Sequence, residues 1–201
     1  MPTDTISISG SVGGVDVKST LSRSGNGGSN AVVPLPAAKT GSLSTRGGNN
    51  AGTVTSAGHG LTNAQVIDVF WAGGCQYGCT VGNVTTNTFD ISSGVDTGSG
   101  SNLPAQGTAV TFAVQVQINI ADFSAASLEM FVVACDQLCH VQAQKSGAVE
   151  SAAKLMPDSE PWLWYSNSGA NPMGTDTVVA FVAANGSTMA TTLRIGMRYD
   201  T

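Results

Sequence analysis

The chain is expected to be all-β, an antiparallel β-sandwich carrying an inserted small β-barrel-like module. Short runs rich in Val, Ile, Thr and aromatic residues recur throughout, many alternating apolar with polar positions, as strands with one buried face do. Clusters of Gly, Asn, Ser and Asp separate these runs and mark turns. Helix signals are nearly absent; only residues 122–130 suggest a short helical turn, with Ser124 as its cap.

Residues 1–11 open as a strand with Ile6 and Ile8 on one face, and a second alternating run covers residues 15–21. A Gly/Ser/Asn loop is expected at 24–30. Val32-Val33-Pro34-Leu35-Pro36 then suits an edge strand, because each proline removes a ladder donor. A second low-complexity break spans 41–52, centred on Gly47-Gly48-Asn49-Asn50, and it sets the expected boundary of the inner module. Residues 1–51 and 113–201 would form the outer sandwich, and 52–112 the insert.

Within the insert, Ala57-Gly58-His59-Gly60-Leu61 is a turn whose glycines admit positive φ. The strand at 66–71 is expected to face the core with Ile67, Val69 and Trp71, since Asp68 lies among the other set; Phe89 and Ile91 also point inward. After a Gly/Ser loop at 96–102, residues 108–120 form the longest alternating run, leaving the insert and re-entering the outer sheet. The near-continuous apolar run 128–134 predicts a strand buried on both faces. Residues 138–144 alternate again. The chain should close with a hairpin, 177–184 and 190–199, turning at Asn185-Gly186-Ser187.

Charged residues make up only 10% of the 201 positions, against about a quarter in an ordinary soluble domain. A surface of Ser, Thr, Gly and Asn suits a protein packed against neighbours. Net charge −5 and eight scattered basic residues argue against a nucleic-acid partner. The polar start lacks the apolar core of an export signal, and no apolar run approaches the length that spans a bilayer. Synthesis in a cytoplasm without export is therefore expected, with no membrane partner.

Four cysteines fall as Cys75/Cys79 and Cys135/Cys139. In an extended strand the partners of each pair would be about 13 Å apart, outside disulfide reach, so a local bond needs a bend. Gln76-Tyr77-Gly78 supplies one; Asp136-Gln137-Leu138 is less suggestive. Free thiols are the expectation without export. Zinc held by Cys75, Cys79, Cys135 and Cys139 has suitable ligands and number, but the second pair lacks a turn-forming residue, and buried thiols acting as small apolar groups are preferred. The segment Cys135 to His140 is one residue too long between its cysteines for a haem-attachment motif. No cofactor is expected. His59 and His140 are the only histidines, neither beside a nucleophile elbow, and the carboxylates are dispersed, so no catalytic residue is assigned. Trp162 and Trp164 share one face of an extended segment. They either fill the sandwich core, the favoured placement, or form an aromatic platform for a glycan or protein partner.

Two stretches carry a resemblance. Glu160-Pro161-Trp162-Leu163-Trp164, Asn171-Pro172-Met173, Asp176-Thr177-Val178, Ala184-Asn185-Gly186-Ser187 and the closing Leu193-Arg194-Ile195-Gly196-Met197-Arg198-Tyr199-Asp200 resemble the C-terminal half of small β-rich virion proteins of tailed bacteriophages. Ser56-Ala57-Gly58-His59-Gly60-Leu61 with Asn87-Thr88-Phe89-Asp90-Ile91 is similar to β modules inserted in phage structural proteins, except that Ala64-Gln65 replaces their Gly-Asp. The resemblance covers about 150 residues. It implies a non-catalytic virion component that decorates or cements a capsid, or belongs to a tail or neck. Its partners would be further copies of itself and other virion proteins such as the major capsid protein. A glycan-binding module that touches a host surface is the competing expectation.

Overall fold

The computed structural model describes residues 3–12, 15–24, 27–92, 94, 102–124, 128–145, 148–149, 154–156, 160–165 and 177–199. It is all-β with no helix among them. Strands β1 (Thr3–Val12), β2 (Val15–Ser24) and β3 (Gly27–Leu35) come first. Then follow β4 (Lys39–Arg46), β5 (Gly52–Thr55), β6 (Val66–Trp71), β7 (Gly74–Gly82), β8 (Thr88–Ser92) and β9 (Ala109–Val114). The remaining strands are β10 (Val116–Ser124), β11 (Leu128–Cys135), β12 (Cys139–Lys145), β13 (Ala148–Val149), β14 (Lys154–Met156), β15 (Trp162–Tyr165), β16 (Thr177–Asn185) and β17 (Thr191–Tyr199). The helical turn expected from residue 122 is absent, because Asp122 to Ser124 continue β10. The loop expected at 24–30 is largely strand. The Gly/Ser loop 96–102, apart from Asn102, lies outside the described residues, as do Pro157 and Asn171-Pro172-Met173.

The chain divides into two compact units. One comprises Met1–Pro34, Gln117–Val182 and Thr192–Thr201; the other comprises Leu35–Val116 and Ala183–Thr191.

In the first unit β15-β11-β17-β3 form one antiparallel sheet, and β10-β16-β12-β13, with β14 also on β12, form the other. From β10 onward the chain changes sheet at every step except from β12 through β14, so most strands adjacent in space are distant in sequence. Taking β13 and β14 as one interrupted strand, the pairs β3/β17, β10/β16, β11/β15 and β12/β13-β14 nest one inside the next. That nesting is the strand order of an eight-stranded jelly roll, a sandwich of two Greek keys. β3 lies at a sheet edge, which suits Pro34 within it. β11 is buried at Leu128, Met130, Phe131, Val132, Val133 and Cys135, hence on both faces, as its apolar run predicted.

The expected closing hairpin does not form. β16 and β17 belong to different sheets, and the connection between them is an arch. Asn185 organises it: buried, its Nδ2 donates to Pro36 O (2.9 Å) and Met189 O (2.7 Å), while its Oδ1 accepts from Ser187 N (2.9 Å). A side chain committed to three loop contacts bends the chain without joining the strands that flank it.

β1 and β2 pair only with each other, in register from Thr3↔Ser24 to Val12↔Val15.

The second unit is a closed six-stranded barrel in the order β4-β5-β8-β7-β6-β9. The insert limits expected from sequence, 52–112, fall inside it. It begins earlier because β4 closes the barrel by pairing with both β5 and β9. Of the expected break at 41–52, residues 41–46 are therefore strand, while its centre at Gly47-Gly48-Asn49-Asn50 is a bend between β4 and β5. Gly41 is needed in β4, since a Cβ would meet Thr55 O at 2.8 Å and Val54 Cγ1 at 2.9 Å. The long alternating run at 108–120 breaks at Gln115, between β9 and β10. Leu43, Val54, Ile67, Val69, Phe89, Ile91 and Phe112 fill the barrel, with Trp71 packed against them. The faces assigned to β6 and β8 from sequence are thus those observed, and side chains occupy the interior as expected for a small barrel.

Candidate functional site

The polar residues buried in the barrel serve its backbone. β7 carries one extra residue opposite β6, a bulge marked by Gly78 at φ +66°. The Gly78 N–H donates to Asp68 Oδ1 (2.8 Å), and Gln115 Nε2 donates to the same oxygen (2.8 Å). A carboxylate on an otherwise apolar strand is explained by these donors. His59 stands between Gly58 and Gly60, both at positive φ. Its Nδ1 accepts from Leu61 N (3.0 Å), which leaves Nε2 to donate to Thr85 O (2.9 Å). Both ring nitrogens are occupied in holding the turn, and the ring packs on Phe89 at 4.9 Å.

Trp162 and Trp164 lie in register with Val133 and Phe131 of β11. Phe131 meets Trp162 edge-to-face at 4.7 Å and stacks with Trp164 at 6.0 Å. Trp164 is only 8% exposed. The pair therefore lines the buried side of its sheet, and no open two-ring platform exists. The outward residues of β15 are Leu163 and Tyr165, both exposed. β15 and β3 are the two edges of the same sheet, and β3 carries Val32 at 68% exposure. Each edge thus carries exposed apolar side chains, and a sheet edge of that kind draws another strand.

Arg198 faces away from Leu193, Ile195 and Met197 on β17, yet it is 1% exposed. Its Nε lies 3.4 Å from Glu129 Oε2, and its Nη2 has no hydrogen-bond partner among the described residues. Nothing in the alternation of β17 separates Arg198 from the half-exposed Arg194, so sequence reasoning missed it.

All four cysteines are free and buried. They are divided between the units, Cys75 and Cys79 on β7 of the barrel and Cys135 and Cys139 at the β11–β12 turn. Among the described residues no group of three or more His, Cys, Asp or Glu is arranged to hold a metal, so the zinc alternative gains no support. The bend expected between Cys75 and Cys79 is present, but it does not join the two sulfurs. The bulge at Gly78 does fall between Cys75 and Cys79, but Cys75 Sγ donates to Tyr77 Oη (2.8 Å) and Cys79 Sγ lies near Gln76 O (3.9 Å). At Asp136-Gln137-Leu138 the chain turns from β11 in one sheet to β12 in the other, and Cys135 Sγ lies 3.8 Å from Met156 O.

Comparison of the chain with family models, curated proteins and solved structures gives no match.

Proposed function

We propose that this chain is a non-catalytic structural component of a bacteriophage virion, decorating or cementing the capsid, and that it works by associating with copies of itself and with the major capsid protein. The observation that carries the reading is the β1–β2 hairpin. Its ten-residue strands join neither sheet of the jelly roll nor the barrel, and a two-stranded ribbon alone is marginal in water. A neighbouring sheet edge supplies what it lacks. The edges β3 and β15, with Val32, Leu163 and Tyr165 exposed, are suitable receivers on a second copy. The low charge of the chain favours the same packed setting.

Double-sheet jelly rolls serve in viral capsids and in lectins, and fold analogy alone does not choose between them. The buried Trp pair weighs against a stacked sugar. Light scattering of the purified chain should report a discrete oligomer, and imaging of an assembled particle should place it on the capsid. Density in the tail or neck would move the role there. A monomer at all concentrations whose glycan binding is lost on Trp162→Ala or Trp164→Ala would overturn the reading, as would turnover of a substrate.

A further inference from the structure

We propose that β1 pairs edge to edge with β1 of a second copy, antiparallel about a two-fold axis at Ser7, so that two ribbons fuse into one four-stranded sheet in the order β2-β1-β1-β2. This rests on the self-association proposed above and gives it a geometry. Among the described residues β1 and β2 form a sheet with each other alone. The register sorts that ribbon into two faces, because directly opposed residues share a face and successive residues alternate. Ile6, Ile8, Gly10 and Val12 stand opposite Leu21, Ser19, Val17 and Val15 on one face. Thr5, Ser7, Ser9 and Ser11 stand opposite Ser22, Thr20, Lys18 and Asp16 on the other. The first face is mainly apolar and the second wholly polar.

A two-stranded ribbon with an apolar face is marginal in water, whereas a sheet of more strands holds. The ribbon therefore needs another strand, and its two edges differ in fitness to take one. β2 carries Asp16, Lys18 and Arg23, and charged residues on an edge discourage pairing. β1 runs from Thr5 to Val12 with neither charge nor proline. It is the edge open to addition.

Length and composition select the strand it receives. β15 is four residues long, and β3 contains Pro34, which has no N–H to donate, so each can match only part of β1. A second β1 matches nearly all of it. With Ser7 on the axis, Ile6 of each copy lies opposite Ile8 of the other, Ser7 opposite Ser7, and Thr5 opposite Ser9. Both isoleucine pairs fall on the apolar face. Asp4, the one charged residue of β1, comes opposite Gly10, so no like charges meet. The same stretch thus meets itself, as a closed two-fold contact requires.

Sedimentation of the full-length chain should give a mass of two chains or an even multiple. Ser7→Lys sets like charges against each other across the axis and should weaken the association by about tenfold or more. Thr20→Lys, on the same face but one strand away from the joint, should leave it unchanged. An equimolar mixture of Ser7→Lys and Ser7→Asp should restore the parent mass, which also shows that both variants are folded. An odd number of chains would overturn the proposal, as would a parent mass retained by Ser7→Lys or equal dissociation by Thr20→Lys. An assembly indifferent to Ser7→Lys but broken by Ile6→Asp is joined through the apolar faces instead; that result sinks the edge pairing and leaves the capsid role standing. The expected charge pattern in a chain missing from assembled particles keeps the pairing and removes the capsid role.

Discussion

Ala64 is a non-glycine residue held at φ +68°, where a Cβ crowds the backbone at a cost of about 1 kcal/mol. It is fixed there by its N–H to Val81 O (2.8 Å) and by the neighbouring pairing of Val81 N with Gln65 O (2.9 Å). Ala64→Gly should therefore raise the unfolding free energy by about 0.5–1 kcal/mol, the relief of strain outweighing the added freedom of the unfolded chain; an unchanged or lower urea midpoint would contradict this. Asp90 behaves oppositely to a strained residue. Asn83 Nδ2 and Thr53 Oγ1 each donate to its carboxylate at 2.7 Å, and these bonds hold it below the usual carboxylate range. The folded state thus favours the ionised form. The resulting stability is complete above the unfolded value near pH ~3.9 and disappears as pH falls through the lower folded value. Asp90→Asn should remove that increment, so its stability at pH 6 and at pH 2.5 should differ by less than in the parent, as read from urea midpoints at both values.

At the level of strands, alternation located most elements and the inward faces of β6 and β8, because a half-buried strand must place apolar groups every second residue. It failed where backbone pairing, not side-chain pattern, decides the outcome. β4 contributes one fully buried side chain, Leu43, amid Gly, Ser and Thr, and it is a strand because barrel closure needs its hydrogen bonds. Asn185-Gly186 matches the sequence of a tight hairpin turn, but Asn185 uses its side chain to hold an arch. Asn185→Ala should cost about 2–3 kcal/mol, since the buried carbonyl of Pro36 loses its side-chain donor and two loop contacts disappear with it. Deleting residues 187–190 to leave a two-residue turn should abolish cooperative thermal unfolding, because β16 and β17 cannot stay in separate sheets across so short a link. If that deletion folds normally, the arch is not what sets the connection.

Across the whole molecule the class was readable from sequence, whereas the jelly-roll order was not: it arises from pairings such as β3 with β17 that no local pattern encodes. The Trp pair was placed inward by its shared face, but the crossing at Asp136-Gln137-Leu138 depends on which sheet each flanking strand joins, and no local pattern encodes that. Removing residues 1–26 should leave the far-ultraviolet circular dichroism that of a β protein while lowering the mass measured by light scattering toward a single chain. An oligomer unaffected by that truncation would assign self-association to β3 or β15 instead. The barrel is attached in an unusual way for so large a piece. Its first and last strands, β4 and β9, lie side by side, with Lys39 opposite Phe112, so the chain enters and leaves through neighbouring points about 5 Å apart. The stretch from Lys39 to Phe112 thus begins and ends at one place. Such a cassette can be exchanged, enlarged or lost in descent while the strands on either side of it in sequence keep their pairing.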